Sequence, residues 1–149
     1  MLNEIYRKIQ NEKSQSINLL KDIVNIESFS GSKSNVDNLS KFLSEKCETL
    51  GGKNKFYPQK DFGDNFTSDF YSGDETVVIL CHMDTVWPIG TLQERPFTIE
   101  GNIAKGPGVF DMKVGITITL EAIRILNELG FTPKTNINTS SPKNNIFGE

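Results

Sequence analysis

The sequence predicts an α/β fold, because helical and strand patterns alternate along a chain of 149 residues without an internal repeat. Residues 77–80 form the run VVIL, which has no polar alternation and is typical of a strand buried on both faces of a sheet. Polar residues follow this run at once, as they do where open α/β sheets build their sites at the carboxyl ends of strands. The length is that of one domain.

Two helical regions are predicted before the first strand. Apolar residues recur at helical spacing through residues 2–27, which predicts one long helix or two abutting helices. The sequence SFSGS at residues 28–32 then interrupts the pattern. The apolar positions of a second amphipathic helix are Val36, Leu39, Leu43, Cys47 and Leu50. This helix should end at Gly51, since glycine readily takes the left-handed conformation that stops a helix.

The second half of the chain predicts strands and one further helix. Short strands separated by Asp, Gly and Ser are expected at residues 55–57, 65–71 and 76–80. A turn at Gly101-Asn102 predicts a hairpin. A helix of about five turns should begin at Met112 and end at Gly130, and Ile137 should begin another strand.

Composition argues against several classes of function. The chain is 36% hydrophobic and 23% charged, and its net charge of −3 argues against a nucleic acid or a membrane surface as partner. No stretch approaches the roughly 20 apolar residues of a membrane-spanning helix. Residues 1–13 lack the apolar core of a secretory signal. We therefore expect a cytoplasmic protein with a small-molecule ligand.

The two cysteines are interpreted as reduced packing thiols. Cys47 lies on a predicted helix and Cys81 at the end of the apolar strand, and a disulfide framework would need more cysteines. Cys81 could instead be a metal ligand. Because side chains alternate along a strand, Cys81 should face away from His82, which favours packing.

Residues 81–88, with the sequence CHMDTVWP, contain the only histidine of the chain. A neutral imidazole such as that of His82 is a good ligand for zinc or cobalt, and a carboxylate two positions later, Asp84, can orient it. An isolated His-x-Asp is more often a structural histidine followed by an aspartate that opens a turn. The tripeptide alone is therefore a weak indicator of a metal site.

A second segment, GPGVFDMK at residues 106–113, has a glycine-rich loop that ends with Asp111 at a predicted helix start. A phosphate-binding loop is one interpretation, but the Asp111 carboxylate would repel a phosphate and no Gly-Lys-Ser/Thr follows. A cation fits this carboxylate better. The remaining alternative is that Asp111 only caps the helix.

Together the two segments, 29 positions apart from His82 to Asp111, resemble a family of zinc-dependent exopeptidases and deacylases. The family includes glutamate carboxypeptidase, acetylornithine deacetylase and succinyl-diaminopimelate desuccinylase. The likeness covers about residues 15–139 and is greatest to the glutamate carboxypeptidase branch. It implies a three-layer α/β/α catalytic domain, of which residues 1–149 would be the amino-terminal portion, without the lid and dimerisation domain.

The resemblance also implies roles for three residues. The residue matching His82 binds one metal, that matching Asp84 is a catalytic aspartate that holds the histidine, and that matching Asp111 bridges two metals. The implied cofactor is Zn²⁺, two per site, with Co²⁺ or Mn²⁺ as alternatives. The implied substrate is a small peptide or N-acyl amino acid, cleaved by a metal-activated water with a glutamate as general base.

One part of the family pattern is missing. Family members have an Asp-Glu-Glu run beyond the bridging aspartate, which supplies the general base and a further ligand. The corresponding stretch here, residues 144–146, is NNI. Asparagine can neither accept a full proton nor neutralise a metal. We therefore expect the general base to be absent from this chain, the sequence to diverge near Thr139, and residues 140–149 to be a loose or aberrant tail.

These observations predict an incomplete, inactive copy of a metallopeptidase. A second interpretation is a non-catalytic α/β module that binds a partner through an open sheet edge. A nucleotide-binding domain would require a phosphate loop, which the sequence lacks.

Overall fold

The computed structural model describes residues 2–141, in which helices and strands follow the predicted order except for one short helix, residues 91–94, that was not predicted. The elements are α1 (Leu2–Asn11), α2 (Lys13–Val24), α3 (Lys33–Thr49), β1 (Lys53–Tyr57), β2 (Asn65–Phe70), β3 (Thr76–Leu80), α4 (Thr91–Glu94), β4 (Thr98–Glu100), β5 (Ile103–Lys105), α5 (Val114–Glu128) and β6 (Asn136–Ser141). The two abutting helices are thus α1 and α2. Helix α3 ends before Gly51, whose φ of 88° is left-handed as predicted.

The main sheet has four strands in the order β1-β2-β6-β3. Strands β1, β2 and β6 pair antiparallel, whereas β3 pairs parallel with β6. The connection from β3 to β6 contains α5, which forms the helical crossover that a parallel pair requires. Strands β4 and β5 form the predicted hairpin around Gly101, apart from the main sheet.

The hydrophobic core lies between the helices and one face of the sheet. Phe66 and Phe70 of β2 are 5% and 1% exposed and point to this face. Helices α2, α3 and α5 contribute to the same cluster, through Ile23, Val36, Leu39, Leu43, Cys47, Ile116, Leu120 and Ile123. The described residues therefore supply the sheet and the helical layer on one side of it.

The prediction that residues 77–80 are buried on both faces is wrong for this part of the chain. Val77, Val78 and Leu80 are 53%, 55% and 65% exposed. The reason is topological: β3 is an edge strand, and no described helix covers the face that carries Val78 and Leu80. The apolar run specified a strand, but its burial depends on neighbours that residues 2–141 do not provide.

Helix α5 begins later than predicted. It starts at Val114 rather than Met112, because residues 109–113 form a kinked turn in which Asp111 has extended backbone angles (φ −122°, ψ 97°). The peptide bond between Asp111 and Met112 is cis. Asp111 therefore lies outside the helix and does not cap it.

The predicted strand at Ile137 is β6, which ends at Ser141. The rest of the expected tail, residues 142–149, lies outside the described residues, as does the NNI stretch. Within residues 2–141 the structure contains no helix that could cross a membrane.

Candidate functional site

His82 lies two residues beyond the carboxyl end of β3, and its side chain is 19% exposed. The ring Nδ1 is 3.1 Å from the backbone oxygen of Asp84 and 3.5 Å from its carboxylate Oδ1. The backbone N–H of His82 donates to the sulfur of Met112, at 3.2 Å. One side of the imidazole therefore faces Asp84, and the backbone is held to the turn that carries Asp111.

The other ring nitrogen faces the second predicted ligand. His82 Nε2 is 2.8 Å from Asp111 Oδ1, although the two residues are 29 positions apart in the chain. The Asp111 side chain is 80% exposed, so its carboxylate stands open to solvent. A neutral imidazole carries one proton and cannot donate to both aspartates. A cation near Nε2 would bring the unprotonated nitrogen and the carboxylate together as ligands.

Gly108 allows the two segments to approach each other. Its φ is 71°, and a Cβ at this position would lie 2.6 Å from the side-chain methyl group of Thr85. The Lys113 N–H donates to the Gly108 carbonyl at 3.0 Å, which closes the turn containing Asp111. Only glycine fits this contact without displacing the loop from the end of β3.

Asp84 is 8% exposed and is held from a third part of the chain. The Ser30 hydroxyl donates to Asp84 Oδ2 at 2.7 Å and lies 3.0 Å from the Thr85 carbonyl. The other carboxylate oxygen is the one that faces the imidazole.

Residues 26–30, which we call the anchor segment, run beside the site. The Ser28 hydroxyl donates to the Met83 carbonyl at 2.8 Å, and Ser28 is 1% exposed. Two backbone bonds, from Thr85 N–H to the Ser28 carbonyl and from Ser30 N–H to the Thr85 carbonyl, are 2.7 and 2.9 Å long. The anchor segment thus pairs with the extended stretch that follows His82.

The anchor segment also receives Lys113, whose side chain is 1% exposed. The ammonium donates to the Ile26 carbonyl at 2.8 Å. Burial lowers the pKa of Lys113 to about 8, and the nearby Glu27 carboxylate offsets part of this effect. The Glu27 carboxylate in turn accepts from the N–H groups of Gly90 and Leu92, at 2.8 and 3.1 Å.

Sequence reasoning missed these supporting residues. The stretch SFSGS was interpreted only as a break between helices, and Lys113 only as part of a motif. The available signal was weak: serines beside a helix end are common, and nothing local indicates a partner 54 positions away, as for Ser30 and Asp84.

The cysteines occupy the core side of the sheet. Cys47 and Cys81 line a small apolar cavity together with Leu43, Phe66 and Leu120. Both are free thiols, and burial raises the pKa of each. Their environment agrees with the packing interpretation.

The donor chemistry at His82 and Asp111 fits a divalent metal, since imidazole nitrogen and carboxylate oxygen are ordinary zinc ligands. The set is only partly assembled. Among residues 2–141 there is no group of three or more His, Cys, Asp and Glu side chains placed to hold an ion. A catalytic zinc usually has three protein ligands, so the two donors account for part of a site.

Comparison with known proteins agrees with this geometry. Residues 78–139, which include both motifs, match the family model described as peptidase family M20/M25/M40. The chain is 30% identical over 131 residues to carboxypeptidase G2 of Pseudomonas sp. (strain RS-16). That alignment covers 86% of this chain and 32% of carboxypeptidase G2, so the chain spans about a third of the length of this relative.

Solved structures share the fold. Human carnosine dipeptidase 1 superposes with a TM-score of 0.84 at 17% identity, over 96% of this chain and 34% of that chain. The di-peptidase Dug1p of Saccharomyces cerevisiae gives 0.78 at 21% identity, over 95% and 34%. The M20 metallo-carboxypeptidase Sso-CP2 of Sulfolobus solfataricus gives 0.72 at 21% identity, over 86% and 30%.

These likenesses confirm the predicted α/β fold and the predicted resemblance. The paired motifs, the family model that spans them and the relative at 30% identity agree: residues 78–139 match peptidase family M20/M25/M40, and the chain is similar to about a third of carboxypeptidase G2.

Proposed function

We propose that the protein derives from a metal-dependent hydrolase of peptide or N-acyl amide bonds in which a metal-activated water attacks the carbonyl. The observation that carries this proposal is the 2.8 Å approach of His82 Nε2 to Asp111 Oδ1 at the carboxyl end of β3. Two motifs, 29 positions apart, converge there with the donor atoms that a divalent metal prefers.

Each residue has a defined task in this proposal. His82 and Asp111 would hold the metals, with Asp111 shared between two of them, and Asp84 would hold the imidazole from its Nδ1 side. When bound, a metal pair supplies Lewis-acid polarisation of the amide carbonyl and a water of lowered pKa. A carboxylate between two cations relieves their mutual repulsion, which is why Asp111 suits the bridging position. Zinc is the expected metal, with Co²⁺ or Mn²⁺ as substitutes.

The substrate class follows from the relatives. Of the similar solved structures, two are dipeptidases and one is a metallo-carboxypeptidase. We propose that this protein acts on small peptides or N-acyl amino acids in the cytoplasm. We propose no nucleic acid or membrane as its partner.

We also propose that residues 1–149 alone are inactive. The sequence contains a single histidine and no Asp-Glu-Glu run, so neither a further imidazole ligand nor the family's general base is present in it. Two donors should hold zinc weakly compared with a complete catalytic site.

Zinc titration of the ¹⁵N-labelled chain tests the ligand assignment even when binding is weak. Because His82 is the only histidine, its ring gives one set of signals. We expect zinc to shift these signals with an affinity weaker than micromolar, and Asp111→Asn to weaken binding further. The control Asp74→Asn changes an exposed aspartate at the opposite end of β3 and should have no effect. A zinc affinity of Asp111→Asn equal to that of the wild type would show that Asp111 is not a ligand. Submicromolar zinc binding by the wild-type chain would refute the proposal that its site is incomplete.

The hydrolase assignment is tested on a longer protein, in which the chain continues beyond Glu149 with an Asp-Glu-Glu segment. With added zinc, this protein should cleave dipeptides or N-acyl amino acids, and His82→Ala should abolish cleavage. A folded, metal-loaded protein that cleaves none of these substrates would overturn the assignment.

A second candidate is a non-catalytic module that binds a partner. The exposed edge strand β3, with Val77, Val78 and Leu80 uncovered, favours it. Hydrolysis by the 149-residue chain with added zinc would exclude this candidate.

A further inference from the structure

We propose that Ser30 is a positioning residue for the His82 imidazole and acts through Asp84. Its hydroxyl holds one carboxylate oxygen, which aims the other at the ring and shifts the tautomer balance of the ring toward Nδ1–H. The consequence for metal binding rests on the proposed function. The positioning itself is a property of the chain without metal.

The Asp84 carboxylate is held by the Ser30 hydroxyl through one oxygen and faces the His82 ring with the other. Ser30 Oγ is 2.7 Å from Oδ2, while Oδ1 is 3.5 Å from His82 Nδ1. The carboxylate is largely buried, with 11% of its side chain exposed, so water competes little for these oxygens. A hydrogen bond from a neutral donor to a buried carboxylate is one of the stronger kinds, and it limits rotation of the group.

The ring proton of His82 has acceptors on both sides of the imidazole. Nδ1 faces two acceptors of Asp84, the backbone oxygen at 3.1 Å and Oδ1 at 3.5 Å. Nε2 faces Asp111, whose side chain is 80% exposed and can be hydrated instead. A proton on Nε2 would donate to Asp111 Oδ1 at 2.8 Å, so the tautomer of a neutral ring is a balance between the two sides, and Asp84 shifts it toward Nδ1–H. The Nδ1–H form leaves the Nε2 lone pair directed at Asp111, where a cation would bind.

A competing explanation is that the backbone oxygen of Asp84 alone holds the ring proton. The backbone oxygen of Asp84 is nearer to Nδ1 than the carboxylate is, and it would hold the same proton without help from Ser30. The two explanations differ in one respect: only positioning by the carboxylate makes the ring tautomer depend on the Ser30 hydroxyl.

The Ser30→Ala variant separates them. The backbone bond from Ser30 N–H to the Thr85 carbonyl does not need the hydroxyl, so the anchor segment should stay in place. The experiment records ring ¹⁵N signals of the metal-free, 149-residue chain at about pH 9, where an imidazole is neutral. We expect the ratio of Nδ1–H to Nε2–H to fall about tenfold, the factor for losing one hydrogen bond to a charged group. Ser30→Thr, which keeps the hydroxyl, should restore the wild-type ratio.

Ser28→Ala is the matched control. It removes a buried serine of the same segment whose hydroxyl donates to the Met83 carbonyl rather than to Asp84. We expect it to lower the melting temperature and leave the ring ratio unchanged. An unchanged ratio in Ser30→Ala, or an equal fall in both variants, would overturn the proposal.

A replacement variant and the absence of metal from the measurement make the result interpretable in every case. If Ser30→Ala does not fold, Ser30→Gly also removes the hydroxyl, and a wild-type ratio in that variant would overturn the proposal. Because no metal or substrate enters the measurement, failure of the hydrolase assignment would leave this result intact, and the reverse also holds.

Discussion

At the level of single residues, burial sets the behaviour of the ionisable groups. Cys47 is 2% exposed, and burial raises the pKa of its thiol from near 9 to about 11. Lys113 is equally buried, but its ammonium keeps one backbone acceptor. The low-dielectric interior disfavours the charged form of both groups, so it raises the pKa of the thiol and lowers the pKa of the ammonium.

The stability of the chain should therefore depend on Cys47 at alkaline pH. A thiol whose pKa is higher in the folded state stabilises the fold below pH 9 and loses that contribution as pH rises to about 11. Relative to Cys47→Ala, we expect wild type to lose about 2 to 3 kcal/mol over this range. Urea unfolding at several pH values measures the difference, in which the other titrating groups cancel. A difference that stays flat from pH 9 to 11 would contradict this account.

At the level of the elements, two connections assemble the site. The loop from β5 to α5 carries Asp111 and packs against the end of β3 through Gly108. Arg124 of α5 joins α5 to the α1–α2 junction, since its guanidinium lies 2.8 Å from Glu12 and bonds both carboxylate oxygens of Glu121 at 3.0 and 2.9 Å.

Gly108→Ala should destabilise the fold more than Gly101→Ala. Both glycines have positive φ, at 71° and 60°, but a Cβ at Gly101 meets nothing within 4 Å, whereas at Gly108 it meets Thr85 at 2.6 Å. We expect a loss of about 1 kcal/mol for Gly101→Ala and about 3 kcal/mol for Gly108→Ala. Chemical unfolding measures both. Equal losses would show that the loop relaxes away from β3 at no cost.

Arg124→Met should cost about 3 kcal/mol, because it leaves the buried Glu121 carboxylate without its cation. Arg124→Met combined with Glu121→Met should recover most of that loss, since the pair is then replaced by apolar side chains. Lys8→Met is the control, because Lys8 makes more exposed ion pairs with Glu12 and Glu128, and we expect its loss to be much smaller than that of Arg124→Met. A double variant no more stable than the single one would contradict this assignment.

At the level of the molecule, the most unusual feature of residues 2–141 is the edge of the main sheet. Within these residues, strand β3 is paired on one side only and carries apolar side chains on the face away from the helices. Natural proteins rarely leave such an edge open, because it invites pairing with other chains. The chain spans about a third of the length of carboxypeptidase G2, to which it is similar.

The purified 149-residue chain should self-associate, and Val78→Lys should reduce the association. Val78 is 55% exposed on β3, and a charge there opposes edge pairing and apolar contact. Thr76→Lys adds the same charge to an exposed polar position of the same strand face and should have a smaller effect. Sedimentation velocity over a range of concentrations measures the association. A wild-type chain that stays monomeric throughout would contradict the prediction.

Apart from α4, the order of helices and strands and the stop at Gly51 were predictable from the amino-acid sequence, because periodicity and glycine conformation are local properties. The pairing of the His82 and Asp111 segments was implied by the resemblance of the two motifs to a known family. Three features needed the folded chain: the exposure of β3, the kinked turn at Asp111, and the anchor segment that holds Asp84 and Lys113. The physical reason is distance along the chain, because the bonds from Ser30 to Asp84 and from Lys113 to Ile26 span 54 and 87 positions, and no local pattern encodes such partners.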